Sequence, residues 1–228
     1  DGNQVYYVPN EFTDVKENEN MWKMNGLMQA YGMSAADIQA AIDHLGLKQT
    51  CVACLNSPTG QTVSGAVDEM KKLEAFFKEQ NPQVFIRDIP TDGVAYHAPY
   101  ARSFQKTMIS VIRDVMGAVD EEIPKEWLGT SGNSRYTEGY HAENVCGSVY
   151  FQTAIEALPA GTIIMEVGPS KGLLTQIKRI RKDVTPYIMV TPNVSEDFSQ
   201  LRQNVWLAGG KIQWSDVDNS QRLPVEYR

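Results

Sequence analysis

The sequence predicts an α/β protein whose first ordered part is a split βαββαβ unit of the ferredoxin-like kind. Three observations predict it. Between residues 26 and 89 the apolar pattern changes between period two and helical spacing in the order strand, helix, strand, strand, helix, strand. The turn-rich stretch Asn56-Ser57-Pro58-Thr59-Gly60 joins two β-compatible runs as a hairpin. After residue 91, helical and strand-like patterns alternate along the rest of the chain.

Residues 1–24 are polar and end in a charged, Asn-rich run, and are expected as a linker or irregular lead-in to a small subdomain at 25–90 and a larger part at 91–228. Gly26 to Tyr31 is a short mixed strand. Ser34 with Asp37 three residues later makes a capping-box-like start, and Ile38, Ala41, Ile42 and Leu45 follow at helical spacing until Gly46 closes the helix. Thr50 to Leu55 and Gln61 to Ser64 are the two hairpin strands. A second helix runs from Ala66 to about Gln80, with Val67, Met70, Leu73, Phe76 and Phe77 on one side, and Gln83 to Ile89 is the next strand.

After Pro90, the segment Gly93-Val94-Ala95-Tyr96-His97 leads into a long helix reaching about Met116. Its first turn carries Pro99, tolerated there because that N–H has no intrahelical partner. A strand at Trp127 to Thr130, a Gly-, Ser- and Asn-containing loop and a helix from Val149 to Leu158 follow. The series closes with a strand at Thr162 to Val167, a helix from Lys171, a strand at Tyr187 to Thr191 and a helix at Val194 to Ala208.

Composition narrows the function classes. The 228 residues hold 21 basic and 28 acidic side chains, a net charge of −7 that argues against affinity resting on nucleic-acid phosphates or anionic lipid. Apolar residues at 42% and charged residues at 21% place the chain among globular proteins able to bury a core. No run approaches the roughly 18 continuous apolar residues of a membrane span. Three cysteines, an odd number in a chain that needs no disulfide staple, favour a reducing compartment, and a cytoplasmic location is expected. The chain opens Asp-Gly-Asn with neither an initiator Met nor a signal peptide, so the first residue is expected to be a cut in something longer.

Three histidines bound the acid/base chemistry. His44 closes an amphipathic helix and reads as structural. His141, between Arg135 and Asn144, reads as a solvated loop residue. His97 sits where an extended segment with Gly93 meets a long helix, where a side chain can be held at the mouth of a sheet, and its position suits either a functional group or an N-terminal helix residue with no other task. Cys51-Val52-Ala53-Cys54 has C-x-x-C spacing, but no second pair exists and on a regular strand the two thiols point to opposite faces, so neither a metal site nor a disulfide is expected. Gly168-Pro169-Ser170-Lys171-Gly172 fits G-x-S-x-G between a strand and a helix. Hydrolases of that design run Ser, acid, His along the chain, whereas all three histidines here precede Ser170, so a capped strand-to-helix turn is the better reading.

Several segments, collinear over residues 24 to 228, resemble the malonyl/acetyl-CoA:acyl-carrier-protein acyltransferase domain of type I fatty acid and polyketide synthases. They are Asn25-Gly26-Leu27-Met28-Gln29-Ala30-Tyr31-Gly32, Ala53-Cys54-Leu55-Asn56-Ser57-Pro58 with Thr62-Val63-Ser64-Gly65, Gly93-Val94-Ala95-Tyr96-His97, Glu143-Asn144-Val145-Cys146-Gly147-Ser148-Val149-Tyr150-Phe151, and Glu166-Val167-Gly168-Pro169. The resemblance implies a ferredoxin-like small subdomain with the C-terminal part of an α/β-hydrolase-like large one. It implies ping-pong transfer through a Ser in a Gly-His-Ser-x-Gly elbow, from coenzyme A to the phosphopantetheine thiol of an acyl carrier protein, both as substrates and with no tightly bound cofactor or metal. His97 would be the base, the Asn144 backbone carbonyl would orient it, Tyr96 would restrict the acyl pocket, and Asn56 would lie near the pantetheine path. Acyl-CoA, the carrier protein and neighbouring synthase domains are the implied partners, with no nucleic acid and no membrane.

The chain departs from the pattern in one region. It has no Gly-His-Ser-x-Gly and no counterpart of the family's malonate-binding Arg, both of which lie N-terminal to the matched segments. The alternative to a partial acyltransferase domain is a non-catalytic docking or structural module derived from one.

Overall fold

Ser34 starts the first helix as its spacing predicts. Its side chain accepts the Asp37 N–H, and the helix α1 (Ala35–Leu45) ends at Gly46, whose φ of 64° places it in the left-handed region that closes helices. The structure, a computed structural model, describes residues 25–133, 135–167, 172–188, 202–207 and 209–211. The expected lead-in at 1–24 and Ser170 lie outside the described residues. The chain divides into two compact units, Asp1–Leu158 and Pro159–Arg228.

In the first unit, β1 (Gly26–Tyr31), β2 (Thr50–Ser57), β3 (Gly60–Ala66) and β4 (Ile86–Ile89) form a sheet ordered β2-β3-β1-β4. All its pairings are antiparallel. With α1 after β1 and α2 (Val67–Gln80) after β3, this is the expected βαββαβ unit. Pleating gives the sheet two faces. Tyr31, Val52 and Val63 share one core with Ile38 and Ile42 of α1 and Met70 and Leu73 of α2. Ile38, Met70 and Leu73 are fully buried, each contributing about 1.5–3 kcal/mol of apolar burial that fixes the helices to the sheet.

The other face carries no helix of the βαββαβ unit. Register places Met28, Ala30, Cys51, Cys54, Thr62 and Ser64 on it. Here the sequence expectation for the cysteines is corrected. The ladder shifts between Val52 and Cys54, so Cys51 pairs with Ser64 and Cys54 with Thr62. Ser64 and Thr62 are two apart on β3 and share a face, so the bulge at Ala53 brings both cysteines to the same side. Both are free thiols.

The long helix expected from Pro99 divides into a 3-10 helix, Pro99–Phe104, and α3 (Gln105–Met116). Trp127 to Thr130 forms no strand. The strands nearby are β5 (Asp120–Glu122) and β6 (Arg135–Thr137), paired antiparallel and tied by Arg135 Nε to Asp120 Oδ1 at 2.5 Å. Trp127 instead packs its ring against Tyr136 and Tyr140, which takes the place of a sheet partner. His141 and Asn144 lie on a helix, α4 (Glu138–Cys146), and not in a loop. Nine residues are too few for a helix to stand alone, and α4 forms because Tyr140, Ala142 and Cys146 are buried and Arg113 Nε reaches Glu138 Oε1 at 2.6 Å. α5 (Phe151–Glu156) completes this unit.

The second unit pairs β7 (Ile163–Glu166) with β8 (Thr185–Ile188) in parallel, with α6 (Leu174–Ile180) as the crossover and Ile177 buried beneath it. Residues 202–207 are helical.

Candidate active site

The site is built where the helix-free face of the sheet meets the chain returning from β4. Gly26 donates its N–H to Gly93 O at 2.8 Å, so β1 holds the segment that follows β4. Ala95 is fully buried there, and its N–H donates to the Tyr100 hydroxyl at 2.5 Å. Two residues on, His97 adopts a φ of 62°, a conformation uncommon for a residue with a Cβ and held only where neighbours determine it. Three neighbours do. The His97 N–H donates to Val145 O at 3.2 Å, the Cys51 thiol donates to His97 O at 3.3 Å, and the ring Nδ1 lies 2.7 Å from Gly147 O.

The last contact decides the ring's chemistry. A carbonyl oxygen can only accept, so Nδ1 carries the proton and Nε2 keeps its lone pair. Burial moves the His97 pKa below the ordinary histidine value, partly opposed by the Gly147 hydrogen bond, so the ring is neutral at pH 7. A half-buried neutral imidazole with a fixed tautomer and an unprotonated Nε2 can serve as a general base.

The expected Asn144 carbonyl is replaced in this role by Gly147's. Carbonyls in a helix's last turn lack intrahelical partners, and of α4's, that of Val145 receives the His97 N–H. Gly147 is extended after the helix, at φ −89° and ψ 168°, and turns its own carbonyl to the ring. Asn144 is exposed on the final turn of α4. The signal for Gly147 was its place just past a helical run, but reading Arg135 to Asn144 as loop hid that helix end.

Tyr96, adjacent to His97, is exposed. Asn56 is half-buried on β2 and donates its side-chain amide to the Thr62 hydroxyl at 3.0 Å, on the strand whose Cys51 touches His97. The other histidines are occupied elsewhere: His44 packs on the Phe76 ring at 5.7 Å, and His141 Nε2 lies 2.9 Å from the Tyr136 hydroxyl. Burial pushes the thiols up, Cys51 to about 12 and Cys54 and Cys146 each to about 11. Among the described residues no group of three or more His, Cys, Asp or Glu is arranged to hold a metal ion, and no described helix is long and apolar enough to cross a membrane.

No protein-family model matches the chain. Against solved structures, it superposes on the acyltransferase domain from the second module of the salinomycin polyketide synthase with a TM-score of 0.69, at 16% identity over 90% of this chain and 50% of that one. The fold is an acyltransferase-domain fold. The malonyl CoA-acyl carrier protein transacylase of Coxiella burnetii shares this acyltransferase-domain fold with a TM-score of 0.62, at 19% identity over 79% of this chain and 57% of that one. These structures bear out the fold class expected from the sequence, a ferredoxin-like unit with the C-terminal part of an α/β-hydrolase-like acyltransferase subdomain.

Sequence comparison agrees with the resemblance. The chain is 28% identical over 216 residues to the highly reducing polyketide synthase anuA of Penicillium roqueforti, and 26% identical over 219 residues to the highly reducing polyketide synthase virA of Hypocrea virens. Each match covers 86% of this chain but only 10% and 9% of those relatives, so the chain spans about a tenth of their length.

Proposed function

We propose that this chain is part of an acyltransferase domain that moves a malonyl or acetyl group from coenzyme A to the phosphopantetheine thiol of an acyl carrier protein. The observation that carries the proposal is the contact of His97 Nδ1 with Gly147 O at 2.7 Å, which puts the proton on Nδ1 and leaves Nε2 unprotonated. In the first half-reaction, Nε2 takes the proton of a Ser hydroxyl as its oxygen attacks the thioester carbonyl. The imidazolium then returns that proton to the departing coenzyme A sulfur, leaving an acyl-Ser. In the second half-reaction the pantetheine thiol gives its proton to Nε2 as it attacks the acyl-Ser ester, and the imidazolium returns that proton to the departing Ser oxygen, restoring Ser and neutral His97. A backbone carbonyl suffices behind the ring because the base needs orientation more than a charge.

Tyr96, exposed beside the base, narrows the space at the acyl α-carbon and favours unbranched groups. Asn56, on the strand next to the site, borders the pantetheine path. The carrier protein and the neighbouring domains of a synthase are the partners of this reading, and its compartment is the cytoplasm.

The test is intact-mass analysis after incubation with malonyl-CoA. This chain alone, which holds no Gly-His-Ser-x-Gly, is expected to stay unacylated. The domain completed with a nucleophile-bearing segment is expected to gain one acyl group on that segment's Ser. Stoichiometric acylation of a Ser within this chain would overturn the proposal. A completed domain that binds carrier protein yet never acylates would favour the docking-module reading.

A further inference from the structure

We propose that Arg102 and Glu143 are positioning residues that clamp the Gly147 carbonyl against His97 Nδ1 and so fix which ring nitrogen is basic. The proposal rests on the reading of His97 as the base, and the two side chains act through Gly147 rather than on the ring. Arg102 lies in the 3-10 helix that begins two residues after His97, while Glu143 lies in the last turn of α4, the helix that ends just before Gly147. Arg102 Nη1 donates to Glu143 Oε2 at 2.6 Å, and Gln105 Nε2 donates to the same oxygen at 2.8 Å. The ion pair therefore closes the same two chain segments that the His97 to Gly147 hydrogen bond joins.

Glu143 holds Gly147 in two ways. Its backbone carbonyl accepts the Gly147 N–H at 2.7 Å, and its carboxylate folds back over the glycine so closely that a Cβ there would stand 2.1 Å from Oε1. The pair is also sheltered, with side-chain exposures of 24% for Arg102 and 20% for Glu143, against 47% and 69% for the Arg135–Asp120 pair. Solvent screens a sheltered pair weakly, and a shared acceptor with two donors restricts the carboxylate to one place.

The backbone of His97 shows why such restraint is needed. A φ of 62° persists only while the surroundings hold it, and two of its three partners, Val145 O and Gly147 O, belong to the segment that Glu143 anchors. Releasing the clamp lets that segment drift, and the ring loses the acceptor that keeps the proton on Nδ1. Free imidazole in a histidine side chain prefers the proton on Nε2, where it would occupy the lone pair the base needs.

The test reads the tautomer directly, in this chain and without catalysis. Long-range ¹H–¹⁵N spectra of the ¹⁵N-labelled chain at pH 8 are expected to show His97 as the Nδ1–H form. Glu143→Gln keeps side-chain volume and the backbone hydrogen bond while removing the charge. It is expected to move a substantial fraction of His97 to Nε2–H, with the His44 and His141 signals unchanged as controls for the fold. Arg102→Ala is expected to do the same, and Arg102→Lys to restore part of the Nδ1–H population. His97 remaining at the wild-type tautomer population in Glu143→Gln would overturn the clamp. Failure of the base reading would show separately, as acyl loading at the wild-type rate by a completed domain carrying His97→Ala.

Discussion

Gly26 and Ala95 meet backbone to backbone. A Cβ built on Gly26 would lie 2.4 Å from Ala95 N and 2.8 Å from Ala95 Cβ, and Ala95 is fully buried. The contact fixes how far the segment leading to His97 stands from β1. Gly26→Ala is expected to push that segment outward, because the obstacle is main chain that cannot rotate away. The cost should be about 1–3 kcal/mol of stability, the range for overpacking a filled core. Urea unfolding checks it, and an unchanged midpoint would show that the segment yields freely.

The His97 environment sets a pH dependence. Burial lowers its folded-state pKa below the unfolded value near 6.5, so the unfolded chain binds more protons in the interval between the two. The contribution to stability is complete above the unfolded value, declines as pH falls from it toward the folded value, and is flat below that. Urea midpoints of the wild-type chain and His97→Gln are expected to diverge across this interval, the wild type losing stability faster as pH falls. Parallel curves would show that the ring is not disfavoured in its charged form. In a completed domain the same shift keeps the base neutral, and loading active, below the pH at which a free imidazole is half protonated.

The thiols are expected to be inert while folded. A thiol near pKa 11 is only about one part in a thousand thiolate at pH 8, and it is the thiolate that reacts. Iodoacetamide at pH 8 should label Cys51, Cys54 and Cys146 slowly in the native chain, with all three modified on unfolding. Fast native labelling of Cys54, the less buried member of the C-x-x-C, would contradict this.

Much of the first unit was legible because period-two and helical apolar spacing tell strands from helices, and Tyr31, Val52 and Val63 of the sheet pack on Ile38, Ile42, Met70 and Leu73 of the two helices. Ser34 and Gly46 added punctuation that sequence displays directly. The β5–β6 pair and α4 were not legible, since each is short and owes its form to tertiary partners: Arg113 for Glu138, and Tyr136 and Tyr140 for Trp127. The bulge at Ala53 left no trace in composition, yet it reversed the relation of Cys51 to Cys54. His97 was found from its junction and its motif. Its orienting carbonyl was misplaced by three residues because a main-chain group has no residue type to recognise, and only the end of α4 decides which carbonyl turns toward the ring.

That end is where Gly147 and Asn144 can be told apart. Gly147→Ala would set a Cβ 2.1 Å from Glu143 Oε1 and 2.9 Å from Glu143 O. The carboxylate could swing aside only by leaving Arg102, and the backbone oxygen could move only by unwinding the last turn of α4. In a completed domain the substitution is expected to slow acyl loading by about 10²-fold, the lower end of the range for losing general-base catalysis. Asn144→Ala alters an exposed side chain and leaves the carbonyl in place, so loading should stay near the wild-type rate. Single-turnover loading of both variants checks the assignment. Loading at the wild-type rate in Gly147→Ala would overturn the assignment.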